Sequence, residues 1–597
     1  MKSISFVLSI VFFVFRVNAQ TPTTKDYFQQ EVNYKINVSL NDQNHTLKGD
    51  INIHYKNNAP VALDTIFMHL WPNAYSSKLT AFAQQQVQNG SSQFYFSKEE
   101  DLGNISQLDF KVDGRKVKWQ TLNKSTPDIA YIVLNQPLPP NQSIDIQTPF
   151  TVKIPASFSR LGHVKTSYQI SQWYPKPAVF DQKGWHPMPY LDQGEFFSEF
   201  GNFDVTITLP QNYLVAATGE LQTASEKEFL AQKVIESQPI INADTLGNHF
   251  PPSATETKTI RFKAQKVHDF AWFADKRFLV TKDTLQLPSG KIVDAWAFFP
   301  PQGIDNWKNA TDYIKRALRS YSNWIGEYPY SHATAVLSAL GAGGGMEYPM
   351  ITVIGKTFSP EGTDIVITHE VGHNWFYGIL ASNERDYAWM DEGINTFYEN
   401  RYSTKFYPPE ESQKKKISYE KLAYFLKART HSDIPSITPP DRMSEMDYGI
   451  AAYAKPSFDL DMLETLLGRP AFDQIMQKYY QAWKFKHPYP EDFRQILQAN
   501  TDKNISWFFD ALNTTKTMDY TISSVHQDGQ TADVTITNKG SLRGPLILFA
   551  KKYGQVQDSL VAEGFEGSKT FSFPKLKDGL YDDFEIDPHL KTIDLYP

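Results

Sequence analysis

Residues 368–400 read THEVGHNWFYGILASNERDYAWMDEGINTFYEN, and the fold of the chain turns on how the first six of them are read. As a helix, His369 and His373 stand four residues apart on one face, and their imidazoles converge. Neutral imidazole binds zinc well, and a catalytic zinc takes three protein ligands so that a fourth position stays open. Glu392, with eighteen residues between it and His373, is a candidate third ligand. The interval leaves room for the helix to end, a loop to turn, and a second helix to bring a carboxylate back. Glu370 points to the flank of the histidine pair, where it suits a base acting on water rather than a metal ligand. Asp364 or Thr363 can cap the helix, Ile365 and Val366 open its apolar face, and no proline follows before Pro408. The plainer alternative is two histidines on an ordinary helix.

His369-Glu370-Val371-Gly372-His373, followed by Glu392 inside Asp391-Glu392-Gly393, resembles the gluzincin aminopeptidase family that includes aminopeptidase N and leukotriene hydrolase. The resemblance is strong over residues 341–455. It implies one zinc ion per chain, held by His369, His373 and Glu392, with Glu370 as general base. Upstream, residues 341–349 read GAGGGMEYP. Glycines such as Gly344 and Gly345 let a backbone approach a ligand closely, and a strand at a cleft edge can pair with an extended peptide. The segment is similar to the family's Gly-x-Met-Glu-Asn, with Tyr348 where asparagine is usual. The resemblance assigns Glu347 to the α-ammonium of a peptide substrate. Tyr453-Ala454-Lys455 resembles the family's Tyr-x-Lys, which implies that the Tyr453 hydroxyl stabilises the oxyanion. Glu399, seven residues past Glu392, matches a further family glutamate and could orient a ligand histidine. A family glutamine that binds the substrate amine would fall at Gln169, or else Gln172, although the arginine and cysteine usually found before the loop's closing acidic residue, here Asp181, are missing.

Beyond the site, 597 residues are several times the length of one core, and three or four domains follow. Lys2, an apolar run over residues 4–15 and small residues ending at Ala19 read as a signal peptide, residues 1–19, with no stable membrane span after cleavage. Cysteine is absent, so no disulfide supports the exported protein, which fits a bacterial periplasm or outer surface. A net charge of -7 gives no basic excess for nucleic acid, and no nucleic-acid partner is expected.

Period-two alternation dominates the first half of the chain. Tyr34, Ile36, Val38 and Leu40 are answered across a polar turn by Leu47, Ile51, Ile53 and Tyr55, which reads as a hairpin. An antiparallel β domain over residues 20–272 follows, with residues 215–260 as a loop-rich insertion and no long helix before about residue 305. The period then switches to 3.6, with Trp307, Tyr313, Ile314, Leu318, Tyr321 and Trp324 on one stripe. Residues 273–517 form a mostly helical catalytic domain, thermolysin-like by the family resemblance. Alternation returns in residues 518–597, a C-terminal β-sandwich. The whole is a multidomain α+β fold. The expected function is a zinc-dependent aminopeptidase acting on peptides with a free N-terminus. A zinc endopeptidase or non-peptide hydrolase on the same fold, and a non-catalytic scaffold, are the alternatives.

Overall fold

The computed structural model describes residues 27–243, 249–339, 344–408, 417–528, 530–577 and 579–596, and the expected signal peptide lies outside them. The expected hairpin forms. Glu31–Asn41 pairs antiparallel with Thr46–Lys56, Tyr34 facing Ile53 and Ile36 facing Ile51, and the alternation sends Val32, Tyr34, Ile36, Val38 and Leu40 into the core. The pair sits within a nine-stranded sheet whose centre runs Thr257–Val267, Gly201–Pro210, Glu31–Asn41, Thr46–Lys56, Ser143–Lys153. One pairing departs from the antiparallel expectation. Glu31–Asn41 runs parallel to Gly201–Pro210, with Tyr34 opposite Phe203, because the long chain between them supplies the crossover that parallel strands require.

Residues 215–260 are not the loop-rich insertion expected from their polarity. They contain the twenty-residue helix Ala224–Ala243, a long helix well before residue 305. Its charged and amide residues and an internal Pro239 disguise it in the sequence. Tertiary contacts hold it: Leu230 and Ile241 are buried, Glu226 pairs with Lys258 at 2.7 Å, and Ser237 Oγ accepts from the Val280 amide at 2.9 Å.

Trp272–Asp275 still pairs with Ser167–Ile170 and Leu214–Ala217 of the N-terminal part. From Leu279 a new five-stranded sheet begins, in the order Leu279–Gln286, Ile292–Phe299, His332–Leu337, Ile351–Ile354, Gly345–Tyr348. The two inner pairings are parallel, and Gly345–Tyr348 is an antiparallel edge strand. The helical stripe that follows Ile304 is broken at residues 308–309 into Ile304–Trp307 and Ala310–Trp324; the latter buries Tyr313, Ile314, Ala317, Leu318 and Tyr321. Beyond the helices, two three-stranded antiparallel sheets follow among the described residues, with Val534, Ile536, Leu546, Leu548 and Phe573 buried along their strands. No helix among the described residues is long and apolar enough to cross a membrane.

Candidate active site

The first histidine helix is Pro360–Gly372. It starts earlier than Asp364 or Thr363: Ser359 is the N-cap, its Oγ accepting from the Gly362 amide at 3.0 Å, with Pro360 at the first helical position where its missing N–H costs nothing. Asp364 is buried instead, accepting from the Tyr402 and Tyr407 hydroxyls at 2.8 and 2.6 Å and pairing with Arg316 at 2.6 Å. At the other end, a Cβ on Gly372 would lie 2.2 Å from Asn395 Oδ1 and 2.4 Å from Tyr321 Oη. The glycine lets this helix sit directly against Glu392–Phe406, whose Asn395 donates to the His369 carbonyl at 2.8 Å.

That contact brings three donor atoms together. Nε2 of His369 and Nε2 of His373 are 3.0 Å apart, and Oε2 of Glu392 is 3.3 Å from each. Three ligands each about 2.0–2.1 Å from a tetrahedral zinc stand about 3.3 Å from one another, so the trio fits that ion in both spacing and chemistry. Each histidine donates its other ring nitrogen outward: His369 Nδ1 to Glu399 Oε2 at 2.8 Å, and His373 Nδ1 to Asp391 Oδ1 at 2.6 Å. Those bonds fix the tautomer that leaves Nε2 facing inward. Burial opposes a charge on His369, yet the hydrogen bonds to Glu392 and Glu399 more than offset it and raise the imidazole to about 10. Against the cost of burial, the neighbouring imidazoliums hold Glu392 well below the usual carboxylate range. A cage that attracts protons this strongly exchanges them for a dication on metal binding.

Around the trio is a cavity of about 510 Å³. Glu370 lines it, with Oε2 unpartnered; burial raises its carboxyl to about 7 while the two histidines pull it down. Gly345 faces it from the edge strand: a Cβ there would lie 2.3 Å from Glu370 Oε1, so only glycine leaves the carboxylate its place. Two residues further along the strand, Glu347 is buried with Oε1 unpartnered, and burial pushes it well above the carboxylate range. Tyr453 stands on a π-helical turn, Gly449–Ala454, and its hydroxyl donates to Glu392 Oε1. Such wide turns re-aim single side chains and recur at functional sites.

Gln169 is not part of the cavity wall. Its amide donates to Ser159 O at 2.8 Å and Ser157 Oγ at 3.1 Å, tying a loop of the N-terminal sheets. Gln172 accepts from the Tyr348 hydroxyl at 3.2 Å and so supports the residue beside Glu347 from behind. Among the N-terminal residues that do reach the cavity is Glu195, which the sequence reading missed. One oxygen pairs with Arg160 at 2.5 Å; Oε2 is buried and unpartnered. Its segment is clamped by Arg385, which donates to Gly194 O at 2.9 Å and to Pro189 O at 3.1 Å. The available signal was a carboxylate directly before Phe196 and Phe197, an apolar pair beside which a charge needs a reason. Asp391, also missed, stands inside the quoted stretch.

Residues 310–512 match the Peptidase family M1 domain. Over 220 residues the chain is 22% identical to "Probable aminopeptidase 2" of Sulfurisphaera tokodaii, a match covering 34% of this chain and 28% of that protein, so it spans under a third of that relative's length. Among solved structures it is similar to aminopeptidase A of Legionella pneumophila in complex with aspartic acid, with TM-score 0.65 and 12% identity over 95% of this chain and 59% of that one. It is also similar to a point mutant of an M1 zinc metallopeptidase from Deinococcus radiodurans, with TM-score 0.50 and 15% identity over 80% of this chain and 91% of that one.

Proposed function

We infer that this chain, which carries a peptidase family M1 domain at residues 310–512, is a zinc-dependent aminopeptidase that removes the N-terminal residue from peptides. The observation that carries the reading is a pair of buried, unpartnered carboxylate oxygens, Glu195 Oε2 and Glu347 Oε1, in the same cavity as the His369, His373, Glu392 trio. Two buried carboxylate oxygens with no donor of their own, one of them on a glutamate that Arg160 holds through its other oxygen, suit one substrate ammonium held at a fixed distance from the bond to be cut.

His369, His373 and Glu392 would hold zinc, which when bound supplies Lewis acidity to the carbonyl and to water. The rest falls to the chain's own groups. Glu195 and Glu347 set the register by holding the α-ammonium. The edge strand Gly345–Tyr348 offers free backbone groups along which the substrate can lie. Glu370 takes a proton from the attacking water and passes it to the leaving amine. The Tyr453 hydroxyl turns from Glu392 to the oxygen that becomes negative, a contact commonly worth about 3 kcal/mol. Gln169 has no part in this scheme.

The test is hydrolysis of a peptide against its N-acetylated form, each with and without a chelator. Cleavage of the free peptide alone, abolished by the chelator, supports the reading. Equal cleavage of both makes the protein an endopeptidase, and no metal-dependent cleavage of either removes the enzymatic case. Export to a periplasm or cell surface, with cleavage after Ala19, belongs to the same proposal and is read by sequencing the mature N-terminus.

A further inference from the structure

The cavity also has a wall that the mechanism leaves unused. With the ammonium at Glu347, a substrate paired along the edge strand runs back past Gly345 and Gly344 toward the leaving-group side. Away from that side, the wall open to the first side chain includes Gln86, Asn89 and Gln93 from the N-terminal part of the chain, Phe158, and the carboxylates of Asp192 and Glu445, while Ile365 and Val366 line the cavity from the histidine helix. Neither of those carboxylates forms a salt bridge with a lysine or arginine among the described residues. Asp192 accepts from Gln86 Nε2 at 2.6 Å and from Ser159 Oγ at 2.5 Å, and Glu445 makes no side-chain hydrogen bond there. They are close enough to repel: burial raises Asp192, Arg160 opposes that, and the Glu445 charge adds to it.

Arg160 is the wall's one guanidinium, and it is already engaged. Nε donates to Met346 Sδ at 2.9 Å, Nη1 to Leu191 O at 3.1 Å, and Nη2 to Asp192 O at 3.0 Å and Glu195 Oε1 at 2.5 Å. That accounts for four of the five N–H donors a guanidinium has, and Glu195 neutralises its charge. Among the described residues of the wall, no unpaired cation is left to receive an acidic first residue. An apolar first residue would leave both carboxylates without a cation.

Resting on the aminopeptidase reading, we propose that the first-residue pocket selects cationic side chains, lysine or arginine, with Asp192 and Glu445 as the residues that set the preference. The aliphatic stem lies along Phe158 while the charged head reaches the two carboxylates. Glu445 is exposed, so its substitution should leave folding intact.

The experiment is kcat/KM of the zinc-loaded enzyme on Arg, Lys, Met, Ala and Glu aminoacyl fluorogenic amides. Arg and Lys should exceed Met by about tenfold or more, with Glu last. Glu445→Gln should lower the Arg-to-Met ratio about three- to tenfold, Glu445→Asp should restore part of it, and the wild-type ratio should fall with added salt. Met or Glu ahead of Arg, or a ratio indifferent to Glu445→Gln and to salt, overturns the proposal while leaving the aminopeptidase reading standing. Hydrolysis of none of the amides overturns that reading, and this one with it.

Discussion

The Asp391 carboxylate accepts a 2.6 Å hydrogen bond from Nδ1 of His373, and both side chains are almost wholly buried. Asp391 immediately precedes Glu392, so one turn of chain delivers both a proposed ligand and the group that orients the ligand opposite. Asp391→Ala would leave His373 free to rotate and to take the other tautomer. Zinc affinity is expected to fall about 10- to 100-fold, as when other outer partners of metal-bound histidines are removed. Competition against a chromophoric chelator measures it, and unchanged affinity would show that Asp391 only fills space.

Glu370→Gln keeps the shape of the base and removes its proton affinity. Zinc content and unfolding temperature should match wild type, while turnover of an aminoacyl amide drops about 10²- to 10⁴-fold. A variant with wild-type turnover would take Glu370 out of the mechanism.

Gly345→Ala tests the same carboxylate from the opposite side. The new methyl would meet Glu370 Oε1 at 2.3 Å, and the flexible end of that side chain is what must give way. The fold should therefore survive with zinc bound, and kcat should fall by about tenfold or more, because a misplaced base loses its hydrogen-bond reach to water. Loss of zinc or of folded protein, instead of kcat, would mean that the strand moves rather than the base.

The histidine pair and the flanking Glu370 were legible because a helix puts residues four apart on one face whatever surrounds it, and Glu392 as a candidate for the third ligand that a catalytic zinc requires. Glu347 and Tyr453 were legible only through family resemblance, since nothing local in Met346-Glu347-Tyr348 or Tyr453-Ala454-Lys455 announces a cavity. Glu195 left only the faint signal of a carboxylate beside Phe196 and Phe197. Its place depends on Arg385 gripping Gly194 across some 190 residues of chain, and long-range contacts leave no periodicity in either segment. The same holds for Ala224–Ala243, whose helix is secured by packing on Leu279–Gln286 rather than by an apolar stripe of its own. The reading of Asp364 as a cap failed for a related reason: its carboxylate is claimed by Tyr402, Tyr407 and Arg316 from two other helices.

Tyr453→Phe removes one hydroxyl and leaves the ring that packs 6.1 Å from His369. If the hydroxyl serves the transition state rather than the bound peptide, kcat should fall about 10²- to 10³-fold with KM nearly unchanged. A rise in KM alone would make Tyr453 a binding residue.

Outside the cavity lining, Asp459 on the helix Lys455–Leu467 is fully buried with both carboxylate oxygens unpartnered. Burial raises it to about 7, with Lys455 opposing only in part. Unfolded, an aspartate titrates near about 3.9. Between those two values the folded chain holds a proton that the unfolded chain has released, so this group's contribution to stability is complete below about pH 4 and is lost as pH rises toward 7. Asp459→Asn removes the titration. Relative to wild type, the variant should gain stability between pH 5 and pH 8, on the order of 3 kcal/mol at most, since each pKa unit is worth about 1.4 kcal/mol. Thermal unfolding of the two proteins at both pH values measures the gain. An identical difference at pH 5 and pH 8 would mean that Asp459 carries the same charge at both.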